Sequence, residues 1–105
     1  MATPPGALPL TECIRLVIAL TEVNSRHLRA DARRGGAEIE LQRALDDEAR
    51  DGASPSQTVI IGELRERLAA ADDEIRAIDA EHEQLEDALI NLDKAVSNVN
   101  RGEWE

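Results

Sequence analysis

Along residues 61–99 the apolar positions recur at spacings that alternate strictly between three and four: Ile61, Leu64, Leu68, Ala71, Ile75, Ile78, His82, Leu85, Leu89, Leu92, Val96 and Val99. Only His82 interrupts the apolar run. A repeat that averages 3.5 residues keeps one face of a slightly underwound helix against a neighbour, so this segment predicts a long helix in a left-handed supercoil. A second seam with the same spacing runs through Cys13, Leu16, Leu20, Val23, His27, Ala30, Arg34, Ala37, Leu41 and Ala44. Its members are smaller and more polar, which predicts a helix that packs closely but buries less.

The breaks between these runs set the element boundaries. Pro4, Pro5, Gly6 and Pro9 predict an extended N-terminal arm over 1–9, with Thr11 as the cap of the first helix. That helix is expected over about 10–50, a length of about 60 Å at 1.5 Å per residue. Asp51-Gly52-Ala53-Ser54 interrupts it, and Gly52 suits the left-handed residue that closes a helix. The restart is marked by Ser54 as N-cap, Pro55 at the first helical position, and Gln57 placed where its amide can reach back to the cap backbone. The second helix is expected over about 55–100, with a C-terminal tail over 102–105 once Gly102 ends it. So short a turn, 51–54, forces the helices antiparallel. The expected fold is all-α, an antiparallel two-helix coiled-coil hairpin over 10–101 that dimerises or docks into a helical bundle.

With the turn centred near Ala53, facing residues have numbers summing to about 106–109. Gly35, Gly36 and Ala37 then fall opposite Ala69, Ala70 and Ala71, where the backbones are expected to approach or the helix to kink. Arg26, Arg29, Arg33 and Arg34 meet Asp72, Asp73, Glu74, Asp79 and Glu81. Intramolecular pairing is one reading of this basic cluster, and a basic patch for an acidic partner is the other. His27 and His82 are expected to form a polar core layer that fixes register, with a pH-sensitive layer as the alternative.

Composition narrows the function. The chain has 105 residues, too few for elongated helices to enclose a large core, so a partner chain is expected to complete it. Tyr and Phe are absent and Trp104 is the lone aromatic, which removes the groups that usually build enzyme pockets and base-stacking platforms. Net charge is -10, with the half from residue 58 onward far more acidic than the half before it. Nucleic-acid phosphates and anionic lipid repel such a chain, so neither direct nucleic-acid binding nor membrane binding is expected. The single Cys13 allows no internal disulfide and reads as a core residue. With the charged residues Glu12, Arg15 and Glu22 around the apolar stretch, it predicts a cytoplasmic protein without a signal peptide.

Candidate chemistry is sparse. Asp79, His82 and Glu86 lie along one helical face, a pattern that bundle metal sites use, but acidic coiled coils generate it readily and no metal or other cofactor is expected. No nucleophile–base spacing, phosphate loop or CxxC motif occurs, so an enzyme is not expected. Ile14, Val17, Ile18 and Ile90 project off the seams at the end of the hairpin away from the turn, and form the candidate apolar docking patch. Val59 and Ile60, with Ala49, make a smaller one at the tip. Trp104 is a candidate tail anchor.

These features predict a non-enzymatic coiled-coil interaction module, a structural or adaptor subunit of a larger assembly such as a phage particle, acting through a homodimer or a hetero-bundle with protein partners. The alternative is an acidic inhibitor that blocks a basic nucleic-acid-binding groove on another protein, as a phage-encoded antagonist of a host enzyme would. In length and hairpin shape the chain also resembles the small helical substrates of type VII secretion. It departs from them in having no Trp between Asp51 and Ser54, where that family carries a Trp-x-Gly turn.

Overall fold

The heptad seams are the buried faces. In the computed structural model, which describes the backbone of residues 7–104 and the side chains of residues 9–98, the chain forms α1 (Ala7–Asp51) and α2 (Pro55–Trp104). The two pack as an all-α helical hairpin. Along α1 every seventh residue is buried: Leu16, Val23, Ala30, Ala37 and Ala44. The interleaved positions Cys13, Leu20, His27, Arg34 and Leu41 are half-buried. On α2, Ile61, Leu64, Ala71 and Ile78 are buried, while Leu68, Ile75, His82, Leu85, Leu89, Leu92 and Val96 are half-buried. Every described seam position is thus at least partly covered, as a stripe facing a single neighbour requires. Val99 lies outside the residues whose side chains are described.

The turn is built by local hydrogen bonding. Gly52 has φ of 86°, the left-handed conformation that costs glycine nothing, and its N–H donates to the carbonyl of Glu48 at 2.8 Å. Arg50 in the last turn of α1 stands near the negative end of that helix and pairs with Asp47 and Asp51. At the start of α2 the N–H of Gln57 donates to Oγ of Ser54 at 3.2 Å, and both N–H and Oγ1 of Thr58 donate to the Ser54 carbonyl. The Gln57 amide differs from expectation. Its Nε2 donates to the carbonyl of Ala44 at 3.2 Å, tying the start of α2 to α1 rather than closing a capping box.

Three further expectations are corrected. The extended arm does not reach residue 9, because α1 begins at Ala7; residues 1–6 lie outside the description. Pro9 fits in this first turn, where backbone N–H groups have no intrahelical acceptor to lose. Thr11 is therefore helical and not the cap. Gly35 and Gly36 mark neither a break nor a close approach: α1 passes through them, and a Cβ added at either would meet nothing within 4 Å. Their α-carbons face away from the tight contact, which the buried Ala37 and Ala71 provide instead. At the other end α2 continues past Gly102 to Trp104.

The chain divides into two packed units. One is the turn-proximal segment Arg26–Ile78; the other combines Met1–Ser25 with Asp79–Glu105. In the turn-proximal unit Ala44, Ile61 and Leu64 form a buried cluster with Leu41 and Leu45 against it. Its cross-helix ion pairs include Arg34–Asp72, Arg33–Glu74 and Arg67–Glu40, whose numbers sum to 106 or 107. That is the register expected from a turn centred near Ala53.

Candidate functional site

The two units differ in how well they cover their apolar residues. In the turn-proximal unit Ala30, Ala37, Ala44, Ile61, Leu64, Ala71 and Ile78 are buried. In the unit of the two chain ends only Leu16 and Val23 are, among the described residues. There Leu85, Leu89, Leu92 and Val96 remain half-buried on the seam of α2. Off the seam, Ile14, Val17, Ile18 and Ile90 are 53%, 49%, 55% and 52% exposed, and Leu10 is more exposed still.

The geometry of α1 explains the exposure. At 100° per residue, Leu10, Ile14, Val17 and Ile18 fall within an arc of about 100°, and the seam residues Cys13, Leu16, Leu20 and Val23 fill the adjoining arc. The first turns of α1 are therefore apolar around more than half their circumference, and α2 can cover only one side. Beside this stripe opens a cleft of about 670 Å³. Leu10 and Cys13 from α1 and Leu89, Ile90, Leu92 and Val96 from α2 contribute its apolar walls, and Asp93 and Lys94 stand at its edge.

Of the residues singled out from sequence, the structure brings Ile90 into this cleft and extends it along α1 by the exposed stripe. Leu10, at the start of the expected first helix, is a member of the stripe that the sequence reading did not include. It lies four, seven and eight residues before Ile14, Val17 and Ile18, so the same stripe, read one turn earlier, identifies it. Val59 and Ile60 near the turn are exposed, as are Leu28 and Ile39 on α1.

The basic patch is largely engaged. Arg33 Nη2 bonds Oε1 of Glu74, and Arg34 bonds both Asp72 and, at 3.0 Å, Glu38. The hydrogen bond to Asp72, reinforced by the charges of Asp72, Glu38 and Asp31, raises the Arg34 pKa above the ordinary arginine value against a small opposing effect of burial. Arg26 is half-buried and Arg29 exposed. Asp73 pairs with Arg76 on its own helix.

The histidines belong to different units. Nδ1 of His27 lies 3.1 Å from Oδ2 of Asp31, and Nδ1 of His82 lies 3.3 Å from Oε1 of Glu86, each one turn along its own helix. Among the described residues no group of three or more His, Cys, Asp or Glu side chains is arranged to hold a metal ion. No described helix is long and apolar enough to cross a membrane. The Trp104 side chain lies outside the described residues.

No protein-family model, curated protein or solved structure matches the chain.

Proposed function

We propose that this protein is a non-enzymatic interaction module, a structural or adaptor subunit that acts in the cytoplasm by docking the apolar face of its chain-end unit onto another protein. The observation that carries this reading is the exposure of Ile14, Val17, Ile18 and Ile90 beside an apolar cleft, in a unit with only two buried residues among those described. Contiguous exposed apolar surface is disfavoured in water by about 25 cal/mol per Å² and marks a binding face when it is this concentrated. An inhibitor acting only as an acidic nucleic-acid mimic has no need of such a face, which favours docking over the mimic.

Site-specific photo-crosslinking tests the proposal. A benzophenone amino acid at position 14 or 18 is expected to yield adducts of higher mass in cells expressing the protein. The same group at position 15 or 22, on the polar side of α1, is expected to yield none. Equal crosslinking from both sides, or none from either, would overturn the reading.

A further inference from the structure

Resting on the reading of this face as a docking surface, we infer that its occupant is an amphipathic helix of another protein, with an apolar stripe flanked by lysine and arginine, and not a second copy of this chain. The argument is one of charge. Residues 1–25 and 79–105 together carry ten acids and three bases, a net of -7, while residues 26–78 carry twelve acids and nine bases, a net of -3. Most of the excess charge therefore sits in the unit that exposes the cleft.

Around Ile90 the excess is local. Glu83, Glu86, Asp87 and Asp93 stand seven, four and three residues before it and three after, so all share its face of α2. Lys94 is the one base within two turns of Ile90. Glu86 is met by Nδ1 of His82 at 3.3 Å, but Glu83, Asp87 and Asp93 form no ion pair with Arg or Lys among the described residues. In the turn-proximal unit nine bases stand against twelve acids, and Asp47, Asp72, Asp73, Glu40 and Glu74 each meet an arginine. Three carboxylates with no Arg or Lys partner among the described residues thus stand on the helix face that carries the exposed Ile90.

A second copy docking through the same unit would bring that unit's own net charge of -7. Two such rims within a Debye length of about 8 Å repel one another. A helix with basic flanks supplies both what the cleft and stripe lack in apolar cover and what the rim lacks in positive charge. The span from Leu10 to Ile18 is about 12 Å of helix, which matches partner anchors at i, i+3 or i+4, and i+7.

Cys13 lines the cleft and is the single cysteine of the chain, so its alkylation by iodoacetamide reports occupancy directly. The full chain is compared alone, with a helical peptide of about 14 residues carrying leucines at those anchor positions and lysines on the flanks, and with the same peptide bearing glutamates for the lysines. The lysine peptide is expected to slow alkylation by about tenfold or more, with protection weakening as salt rises and in the chain carrying Asp87→Lys and Asp93→Lys. The glutamate peptide is expected to have no effect. Equal protection by both peptides would overturn the inference. So would alkylation that slows with chain concentration alone while sedimentation shows a dimer, although the docking surface itself would then stand. If neither peptide nor concentration alters the rate, the inference falls, and crosslinking at positions 14 and 18 decides whether the docking surface falls with it.

Discussion

The side-chain amide of Gln57 donates to the backbone carbonyl of Ala44 across the turn, so the first turn of α2 is fastened to α1 by a bond that neither helix makes within itself. Gln57 also supplies the N–H that Ser54 Oγ caps. Replacing Gln57 by Ala should cost about 1 kcal/mol, the net value of a typical hydrogen bond, and Ser54→Ala about the same through loss of the cap. Denaturant unfolding of the two single variants and the double variant measures both. A stability unchanged within error in Gln57→Ala would show that the bond across the turn contributes nothing.

The helical glycines should respond oppositely to the turn glycine. At Gly35 and Gly36 an added methyl meets open space, so each Gly→Ala substitution should stabilise by about 0.5–1 kcal/mol by restricting the unfolded chain. At Gly52, where φ is 86°, the same change should destabilise by about 1 kcal/mol or more. Thermal melts of the three variants should therefore move in two directions.

Packing in the turn-proximal unit predicts a contrast between residues of one type. Leu64 is buried at 3% exposure and should lose about 2–5 kcal/mol on truncation to Ala. Leu28 is 70% exposed, and its truncation should stay within about 0.5 kcal/mol. Ala30, at 0% exposure, has no room for growth, so Ala30→Leu should cost about 1–3 kcal/mol by overpacking.

The Arg34–Asp72 pair should be insensitive to pH near neutrality and sensitive to salt. The Arg34 pKa is raised, so its contribution is fully present below the ordinary arginine value and is lost only as pH climbs through the still higher folded-state value. The difference in melting temperature between the parent and Arg34→Gln should stay constant from neutral to mildly alkaline pH, and should shrink as ionic strength rises. A difference that changes across that pH interval would contradict the assignment.

Ile14 and Ile18 should be dispensable for the fold itself. Because both are about half exposed, replacing them together with Ser should leave helicity by circular dichroism intact and shift unfolding by less than about 1 kcal/mol. A large loss of stability would mean that these side chains serve the hairpin rather than a partner.

The pattern along the chain determined which residues face inward. Alternating spacings of three and four admit one buried face per helix, and each described seam position is at least half covered for that reason. Gly52, Ser54 and Pro55 likewise carry their turn chemistry in their identities, since few residues accept a left-handed φ or cap a helix. Tertiary structure decided what Gln57 bonds and whether Gly35 and Gly36 are crowded, because each depends on how near the facing backbone lies. It also decided that, among the described residues, burial is concentrated in the turn-proximal unit and sparse in the other. Periodicity marks the apolar side of each helix, but only packing in three dimensions determines whether enough neighbouring atoms are present to exclude water from it.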